Sequence, residues 1–154
     1  MSRETACELT NMIMIWDKAH KRAVVIERLL SWKGVCFPGG HIEKGESIYD
    51  SAVREAKEET GLTVRNLEFC GFDDWCHKES GKRYFVFMYR TDDYSGELTS
   101  GTDEGRVYWE DIDLIPTHEM SPHFDTYLKL FTGERVRESF GMYDDEVTEE
   151  LTLF

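Results

Sequence analysis

The sequence is poor in positive charge and contains no long apolar run. Its 154 residues include 18 Lys and Arg against 31 Asp and Glu, which gives a formal net charge of −13. Nonspecific binding to nucleic-acid polymers depends on clustered Lys and Arg, so we expect no nucleic-acid polymer as a partner. No apolar segment approaches the roughly 20 residues that a membrane span requires, so we expect no membrane association. The acidity still allows a single nucleotide as a ligand, because a metal ion can bridge its phosphates to carboxylates.

Cysteine is also scarce, and its spacing does not suit metal or redox chemistry. The four cysteines, Cys7, Cys36, Cys70 and Cys76, form no C-x-x-C pair, which argues against a structural zinc site or a dithiol motif. We therefore expect reduced thiols in the core. The first residues, Met-Ser-Arg-Glu-Thr, contain no apolar signal segment, and the expected location is the cytoplasm.

The order of apolar and polar segments predicts one domain over residues 1–154 with an α/β (α+β) fold. The length is sufficient for one sizeable core. Extended segments are predicted at 6–16, 23–26, 35–37, 62–64, 67–77, 83–89 and 106–109, with loops at 29–34, 92–96 and 99–105. A polar turn at 17–21 joins the first two strands into a predicted hairpin. The tail, 134–154, is predicted to form either a last hairpin or an edge that binds a partner, and we expect a monomer or a homodimer.

The first predicted helix has clear signals at both ends. Ser47 is a favoured N-cap, and Asp50, three residues later, completes a pair that resembles a capping box. Gly61 lies where a helix usually stops, because glycine enters the left-handed conformation without a Cβ penalty. The helical period predicts a buried face that consists of Tyr49, Ala52, Val53, Ala56 and Thr60.

A second helix is predicted from about His123 to a stop at Gly133. Ser121 is its predicted N-cap, and Pro122 occupies the tolerated first position. Its apolar residues follow the i, i+3, i+4, i+7 spacing of a buried face. They are Phe124, Tyr127, Leu128 and Phe131.

Glutamates crowd one side of the first helix. Glu55, Glu58 and Glu59 lie within an arc of roughly 100°. Like charges at these spacings repel one another. The cluster is therefore either a solvated acidic face or a site for a hard divalent cation such as Mg²⁺, which prefers carboxylate and water oxygens. Arg54 lies four residues before Glu58 and can hold a carboxylate in a forked pair.

The stretch from Gly40 to Leu62 resembles the signature of the Nudix hydrolases. It reads Gly, five residues, Glu, seven residues, then Arg-Glu-Ala-x-Glu-Glu-x-Gly-Leu. The matching positions are Gly40, Glu46, Arg54, Glu55, Glu58, Glu59, Gly61 and Leu62. The run Phe37-Pro38-Gly39-Gly40 is also similar to the family, whereas Ala56 replaces the bulky aliphatic residue that the family favours. The resemblance covers roughly residues 8–132 and implies a Nudix-type α/β/α sandwich with a mixed sheet between helices.

The resemblance also implies an activity and a metal site. The implied reaction is metal-dependent hydrolysis of a nucleoside diphosphate linked to another group X, with Mg²⁺, or alternatively Mn²⁺, as the cofactor. The implied metal ligands are Glu55, Glu58, Glu59 and the main-chain oxygen of Gly39. Arg54 would orient the glutamates, and Glu46 would support their hydrogen-bond network. The general base would be a signature glutamate or Glu104 from a later loop, for which a solvated loop acid is the alternative.

Residues on the substrate side give weaker signals. Arg28, at the end of the second strand, could contact a phosphate, and Gly39 and Gly40 could let the backbone approach the ligand closely. Phe37, Trp32 and Trp75 could stack on a base, although aromatic residues at such positions are more often part of the core. Phe124 and Asp125 are further candidates for a base pocket.

The substrate stays open among several readings. The run Phe-Pro-Gly-Gly-His-Ile-Glu is similar to MutT-like nucleoside triphosphate pyrophosphohydrolases, some of which remove oxidised guanine nucleotides such as 8-oxo-dGTP. This reading predicts a nucleoside monophosphate and pyrophosphate as products. The alternatives are hydrolysis of ADP-ribose or a nucleotide sugar, and a non-catalytic domain that senses a nucleotide. Loss of a signature glutamate would favour sensing, and none is lost. Isomerase chemistry on an isoprenoid diphosphate is a remote fourth reading.

Overall fold

A mixed β-sheet lies between two helices in the computed structural model, which describes residues 3–133 and 135–154. The helices are α1 (Ile48–Thr60) and α2 (Phe124–Thr132), and a short 3-10 turn spans Ile115–Thr117. The strands are β1 (Cys7–Asp17), β2 (Arg22–Arg28), β3 (Gly34–Cys36), β4 (Thr63–Arg65), β5 (Glu68–His77), β6 (Arg83–Thr91), β7 (Asp93–Ser95), β8 (Gly101–Thr102), β9 (Gly105–Asp111), β10 (Glu138–Tyr143) and β11 (Thr152–Leu153). Neither described helix is long and apolar enough to cross a bilayer.

The main sheet has the strand order β11-β10-β5-β6-β1-β2-β9-β8, and β3 pairs with β2 off this path. The pairs β1–β6 and β5–β10 are parallel, and the other pairs are antiparallel. β4 and β7 form a separate two-stranded sheet. The predicted α/β sandwich with a mixed sheet is confirmed, as is the hairpin of β1 and β2.

The nearly continuous apolar sequence of β1 is explained by the burial of both faces of the strand. Successive side chains of a strand point to opposite faces of the sheet. Ile13 and Ile15 therefore pack with Ala56 of α1, while Met14 packs on the other face with Phe124 of α2 and its neighbours. Both faces of β1 are buried from Ile13 to Ile15, so this part of the strand lacks the alternating polar residues of a half-exposed strand.

Helix α1 begins and ends as its sequence predicts. The backbone N–H of Asp50 donates to Ser47 Oγ at 3.0 Å, and that hydroxyl donates to Asp50 Oδ2 at 2.7 Å. Gly61 adopts the left-handed conformation, with φ at 77°, and its N–H donates to the Lys57 carbonyl. The predicted buried face is wrong at Tyr49, which is 40% exposed. The helix is rotated so that Glu59 is buried beside Ala52, Ala56 and Thr60.

Helix α2 covers the predicted segment but has a different N-cap. Its N-cap is His123, a non-glycine residue with φ at 65°, and no side chain caps it. The predicted cap, Ser121, instead donates its hydroxyl to the carbonyls of Trp32 and Gly34. The prediction failed because Trp32, in the loop before β3, and Gly34, the first residue of β3, offer their carbonyls to the Ser121 hydroxyl. Phe124, Tyr127 and Phe131 are buried as predicted, whereas Leu128 is only partly buried and Leu130 is fully buried.

Two predictions about connecting loops are corrected by the structure, and the hairpin alternative for the tail is confirmed. The loops predicted at 92–96 and 99–105 contain the short strands β7 and β8. The tail forms a hairpin of β10 and β11, and β10 also joins the main sheet beside β5. Its residue 134 lies outside the described residues. The expectation of core cysteines holds for Cys36 and Cys70, but Cys76 is partly exposed and Cys7 is exposed.

The capping contact of α1 gives a stability prediction. Replacement of Ser47 by Ala removes the acceptor of the Asp50 N–H, and N-cap deletions of this kind cost about 1 kcal/mol. We expect the free energy of unfolding, measured by urea denaturation, to fall by about that amount in Ser47→Ala. The matched variant Ser47→Thr keeps a hydroxyl and should stay within about 0.5 kcal/mol of the parent. Equal stability of the Ala variant and the parent would show that this cap contributes nothing.

Candidate active site

Arg54 is the centre of the charged cluster beside α1. Its Nε and Nη2 donate to the two carboxylate oxygens of Glu46 at 2.9 and 3.0 Å. Its Nη1 donates to Glu55 at 2.8 Å and to Glu58 at 3.1 Å, and Nη2 also donates to the carbonyl of His41 at 2.9 Å. A guanidinium has five N–H donors in a fixed plane, and each of them has an acceptor here. These contacts, led by the one to Glu46, raise the pKa of Arg54.

Glu46 anchors the N-terminal side of this cluster. In addition to Arg54, its carboxylate accepts from the backbone N–H of Glu43 at 3.0 Å. Both interactions favour the charged form, so the pKa of Glu46 is lowered, mainly by Arg54. Glu46 therefore joins Arg54 to the backbone of the loop before α1. It holds Arg54, and Arg54 in turn fixes the carboxylates of α1.

Glu59 is the buried carboxylate of the cluster, with only 7% of the residue exposed. Its Oε2 accepts from the backbone N–H of Gly39 at 2.8 Å. No ion pair joins Glu59 to a Lys or Arg in the described part of the chain, and burial raises the pKa of Glu59 to about 8. A buried carboxylate with one neutral donor is costly. A bound cation would offset that cost.

Glu55 lies between Arg54 and the glycine loop. A Cβ at Gly40 would lie 2.5 Å from Glu55 Oε1, so a side chain at this position would displace the Glu55 carboxylate. A Cβ at Gly39 would collide with the backbone of Asn11 and Met12 on β1. The glycines thus let the loop pass between β1 and α1. The pKa of Glu55 is raised by burial, although Arg54 acts in the opposite direction.

The carboxylates of α1 fit a divalent cation that also binds substrate. Within residues 3–133 and 135–154, no three His, Cys, Asp or Glu side chains are gathered into a complete metal site. Arg54 holds Glu55 and Glu58, whereas the loop amide of Gly39 holds Glu59. Mg²⁺ commonly takes only one or two carboxylates and completes its shell with water and substrate phosphates. The oxygen-only donors and the uncompensated Glu59 suit such an ion.

Arg28 and Glu104 meet across the pair of β2 and β9. The register places Arg28 opposite Gly105, and Arg28 Nη2 lies 3.3 Å from Glu104 Oε2. The Leu29 N–H also donates to the Glu104 carbonyl at 3.1 Å. Both charged side chains line the same cleft as Glu55. Glu104 therefore lines the cleft and pairs with Arg28, while 48% of its side chain stays exposed.

The cleft has a volume of about 550 Å³, a size typical of small-molecule sites. Its lining includes the charged residues Arg28, Glu43, Glu55 and Glu104 and the glycines Gly39 and Gly40. The lining also includes aromatic rings. These rings belong to Trp32, Phe37, His41, Trp75, Tyr84, His123, Phe124, Tyr127 and Tyr143. This combination suits a ligand with a charged end and a flat apolar end.

The candidate stacking residues differ in how much surface they offer. Phe37 is 2% exposed and packs edge-to-face against Phe124 and Phe131, so its ring belongs to the core at the bottom of the cleft. Trp32 is 64% exposed at the rim and has φ at 53°. Trp75 is mostly buried, and its ring lies 4.8 Å from that of His123. Asp125 is not among the cleft residues, so its predicted place in a base pocket is not supported.

Several cleft residues escaped the analysis of the sequence. Asn11 lines the cleft and is buried; its Nδ2 donates to Ser51 Oγ, while its Oδ1 has no hydrogen-bond partner in the described residues. An asparagine inside the apolar run of β1 was the available signal. The cleft contacts of His123 and Tyr143 depend on how α2 and β10 pack, and no local pattern announces them.

Comparison with known proteins gives a consistent family assignment. The family model of the NUDIX domain matches residues 9–131. An uncharacterized Nudix hydrolase of Bacillus subtilis, YvcI, is 34% identical over 88 residues, which cover 55% of this chain and 56% of the relative. An oxidized purine nucleoside triphosphate hydrolase of Danio rerio is 38% identical over 89 residues, 58% of this chain and 54% of the relative. An ADP-ribose pyrophosphatase of Methanocaldococcus jannaschii is 30% identical over 104 residues, 66% of this chain and 61% of the relative.

The matches to these relatives therefore span between half and two thirds of their length. Among solved structures, a MutT protein from Bacillus halodurans superimposes with a TM-score of 0.78. The two chains are 23% identical, and the match covers 95% of this chain and 97% of the other. At that identity the likeness shows the fold alone. The family model, which spans most of the chain, identifies the protein as a member of the NUDIX domain family.

Proposed function

We propose that the chain is a metal-dependent hydrolase of a nucleoside diphosphate linked to X, and that X is a phosphate group of a nucleoside triphosphate. Triphosphates with an oxidised purine base are included in this proposal. The products would be a nucleoside monophosphate and pyrophosphate. The observation that carries the proposal is the buried Glu59 carboxylate beside Glu55 and Gly39, next to a cleft that combines charged and aromatic surfaces.

The proposed metal ligands are Glu55, Glu58, Glu59 and the main-chain oxygen of Gly39. The carbonyls of Pro38 and Gly40 accept hydrogen bonds from β1, which favours Gly39, between them, as the carbonyl that faces the ion. Bound Mg²⁺, or Mn²⁺ in its place, would neutralise phosphate charge and lower the pKa of the attacking water. Arg54 would keep Glu55 and Glu58 oriented through its two contacts from Nη1.

The remaining charged residues of the cleft suit binding and proton transfer. Water would attack phosphorus, the bond to the bridging oxygen would break, and pyrophosphate would leave with the bonding electrons. The proton of the water would pass to a carboxylate. Glu104 or a glutamate of α1 would be that base, since Glu55 and Glu104 line the same cleft. Arg28 would bind a phosphate and release Glu104 from their ion pair.

Two substrates are favoured by specific relatives. The Danio rerio relative, named an oxidized purine nucleoside triphosphate hydrolase, has the higher identity, 38%. The Methanocaldococcus jannaschii relative, named an ADP-ribose pyrophosphatase, matches a longer segment of 104 residues. ADP-ribose hydrolysis is therefore the second candidate. One domain over residues 1–154 and a cytoplasmic location stay parts of the proposal.

Removal of the buried carboxylate charge tests the metal site. Glu59→Gln keeps the shape of the side chain and an acceptor for the Gly39 N–H, but it removes a ligand charge. We expect kcat for the preferred nucleotide to fall by about 10²–10³-fold, as measured by release of pyrophosphate at saturating Mg²⁺. The thermal unfolding midpoint should show that the variant is folded.

The control variant Glu79→Gln makes the same charge change in an exposed turn and should leave kcat unchanged. Exhaustive chelation should abolish turnover by the parent protein, and Mg²⁺ or Mn²⁺ should restore it. Near-normal turnover by Glu59→Gln, or turnover that survives chelation, would contradict the proposed mechanism.

A substrate panel tests the choice of substrate. It should contain normal and oxidised deoxynucleoside triphosphates, ADP-ribose and dinucleotide polyphosphates, ranked by kcat/KM with Mg²⁺. We expect a triphosphate to rank first, because the cleft joins a phosphate-binding region to an aromatic region. ADP-ribose in first place would select the second candidate. No turnover of any compound, together with nucleotide binding, would favour a sensing domain.

A further inference from the structure

A buried chain of hydrogen bonds lies behind the aromatic wall of the cleft. Asp73 of β5 is fully buried. Its Oδ1 accepts from the hydroxyl of Ser139, and its Oδ2 accepts from the hydroxyl of Tyr127 at 2.7 Å. The Tyr127 oxygen in turn accepts from Trp75 Nε1 at 3.3 Å. These hydrogen bonds, here called the relay, therefore connect Ser139 of β10 through Asp73 of β5 to Tyr127 of α2. The relay ends at the Trp75 indole.

The two ends of the relay, Ser139 and Trp75, have different surroundings. Ser139 lies in β10, outside the residues 9–131 that match the family model. Trp75 and Tyr127 line the cleft. The parallel pairing of β10 with β5 places Ser139 opposite Asp73 and Gly141 opposite Trp75. Strand β10 thus contacts the wall of the cleft from behind, although the family match ends before it.

Strand β10 also restricts the indole directly. A Cβ at Gly141 would lie 2.5 Å from Trp75 Cζ3, so the backbone of β10 lies against the ring. Tyr143, two residues later, lines the cleft and has its ring 6.5 Å from that of Trp75. His123 packs against the same indole. Backbone contact and one directional hydrogen bond together restrict the orientation of the Trp75 indole.

Burial of the polar groups of the relay costs free energy, because these groups lose their contacts with water. Burial raises the pKa of Asp73 to about 6, although the hydroxyls of Ser139 and Tyr127 favour its ionised form. Apolar residues of similar volume are often as stabilising as buried charged groups. Hydrogen bonds add direction, because each donor must point at its acceptor. Orientation of the groups at the end of the chain is therefore the effect that distinguishes this arrangement from an apolar core.

We propose that Ser139, Asp73 and Tyr127 are positioning residues that fix the Trp75 indole as the surface against which the base of the substrate packs. Strand β10 would thereby set the affinity for the base, while the carboxylates of α1 act on the phosphates. This inference rests on the proposed function, since it takes a nucleotide as the ligand of the cleft.

Binding of two reaction products separates the base from the phosphates. We would measure the Kd of GMP and of pyrophosphate by calorimetry with Mg²⁺ for the parent chain, Ser139→Ala and Tyr127→Phe. Each variant removes one hydroxyl group from the relay. We expect the Kd of GMP to rise about 5–10-fold, which corresponds to one net hydrogen bond. The Kd of pyrophosphate should change by less than about twofold. Ser95→Ala, an exposed hydroxyl deletion, is the matched control.

A double-mutant cycle tests whether Ser139 acts through Trp75. Trp75→Phe should itself weaken GMP binding, and Ser139→Ala should add little in the Trp75→Phe background. Full additivity would overturn the relay. Equal weakening of GMP and pyrophosphate, or an unchanged GMP affinity in both hydroxyl variants, would also overturn it. Tyr127→Phe keeps the ring, so it serves as the test if Ser139→Ala fails to fold.

The outcomes also separate this inference from the proposed function. If the parent chain hydrolyses nucleotides but the hydroxyl variants bind GMP normally, only the relay is wrong. If the parent chain hydrolyses no compound of the panel, the proposed activity is wrong, and the GMP measurements still show whether the relay positions a base.

Discussion

One guanidinium holds together an acidic cluster that would otherwise repel itself. Each of the five N–H donors of Arg54 has an acceptor. Three of its four partners are the carboxylates of Glu46, Glu55 and Glu58. Such charge-assisted contacts fix both position and orientation. Glu59 lies outside the reach of Arg54 and is held by a neutral amide instead. The cluster is therefore rigid but not neutral, and this imbalance is the reason for proposing a cation there.

The sequence predicts those parts of the protein that depend on local interactions. Helix α1 begins at a capping residue, Ser47, and stops at a glycine, Gly61, and both ends follow from the backbone chemistry of helix termini. The apolar run of β1 reports burial on both faces. The spacing of Arg54 and the glutamates predicts that they form one charged cluster, because all of these residues lie on one short segment.

The remaining features depend on contacts between distant segments, which no local pattern encodes. Ser121 has the sequence signature of a cap, but its hydroxyl donates instead to the carbonyls of Trp32 and Gly34, at the start of β3. Tyr49 follows the period of the buried face, yet the packing of α1 rotates it towards solvent and buries Glu59. The sequence around Asp73 does not indicate its buried contact with Ser139, because that contact depends on the pairing of β10 with β5. The spacing within one short segment thus predicted the carboxylate cluster. Trp32, Phe37, Trp75 and Phe124, the aromatic candidates from the sequence, do line the cleft. The contacts that hold Trp75 depend on the pairing of β10 with β5 and were not predicted.

Direct measurement of metal binding tests the central claim that Glu59 helps to hold a divalent cation. The electron paramagnetic resonance signal of free Mn²⁺ can be followed as protein is added, for the parent chain, Glu59→Gln and Glu79→Gln. We predict that the parent and Glu79→Gln bind Mn²⁺ with the same Kd, and that Glu59→Gln binds it at least about tenfold more weakly. An unchanged Kd in Glu59→Gln would contradict the account.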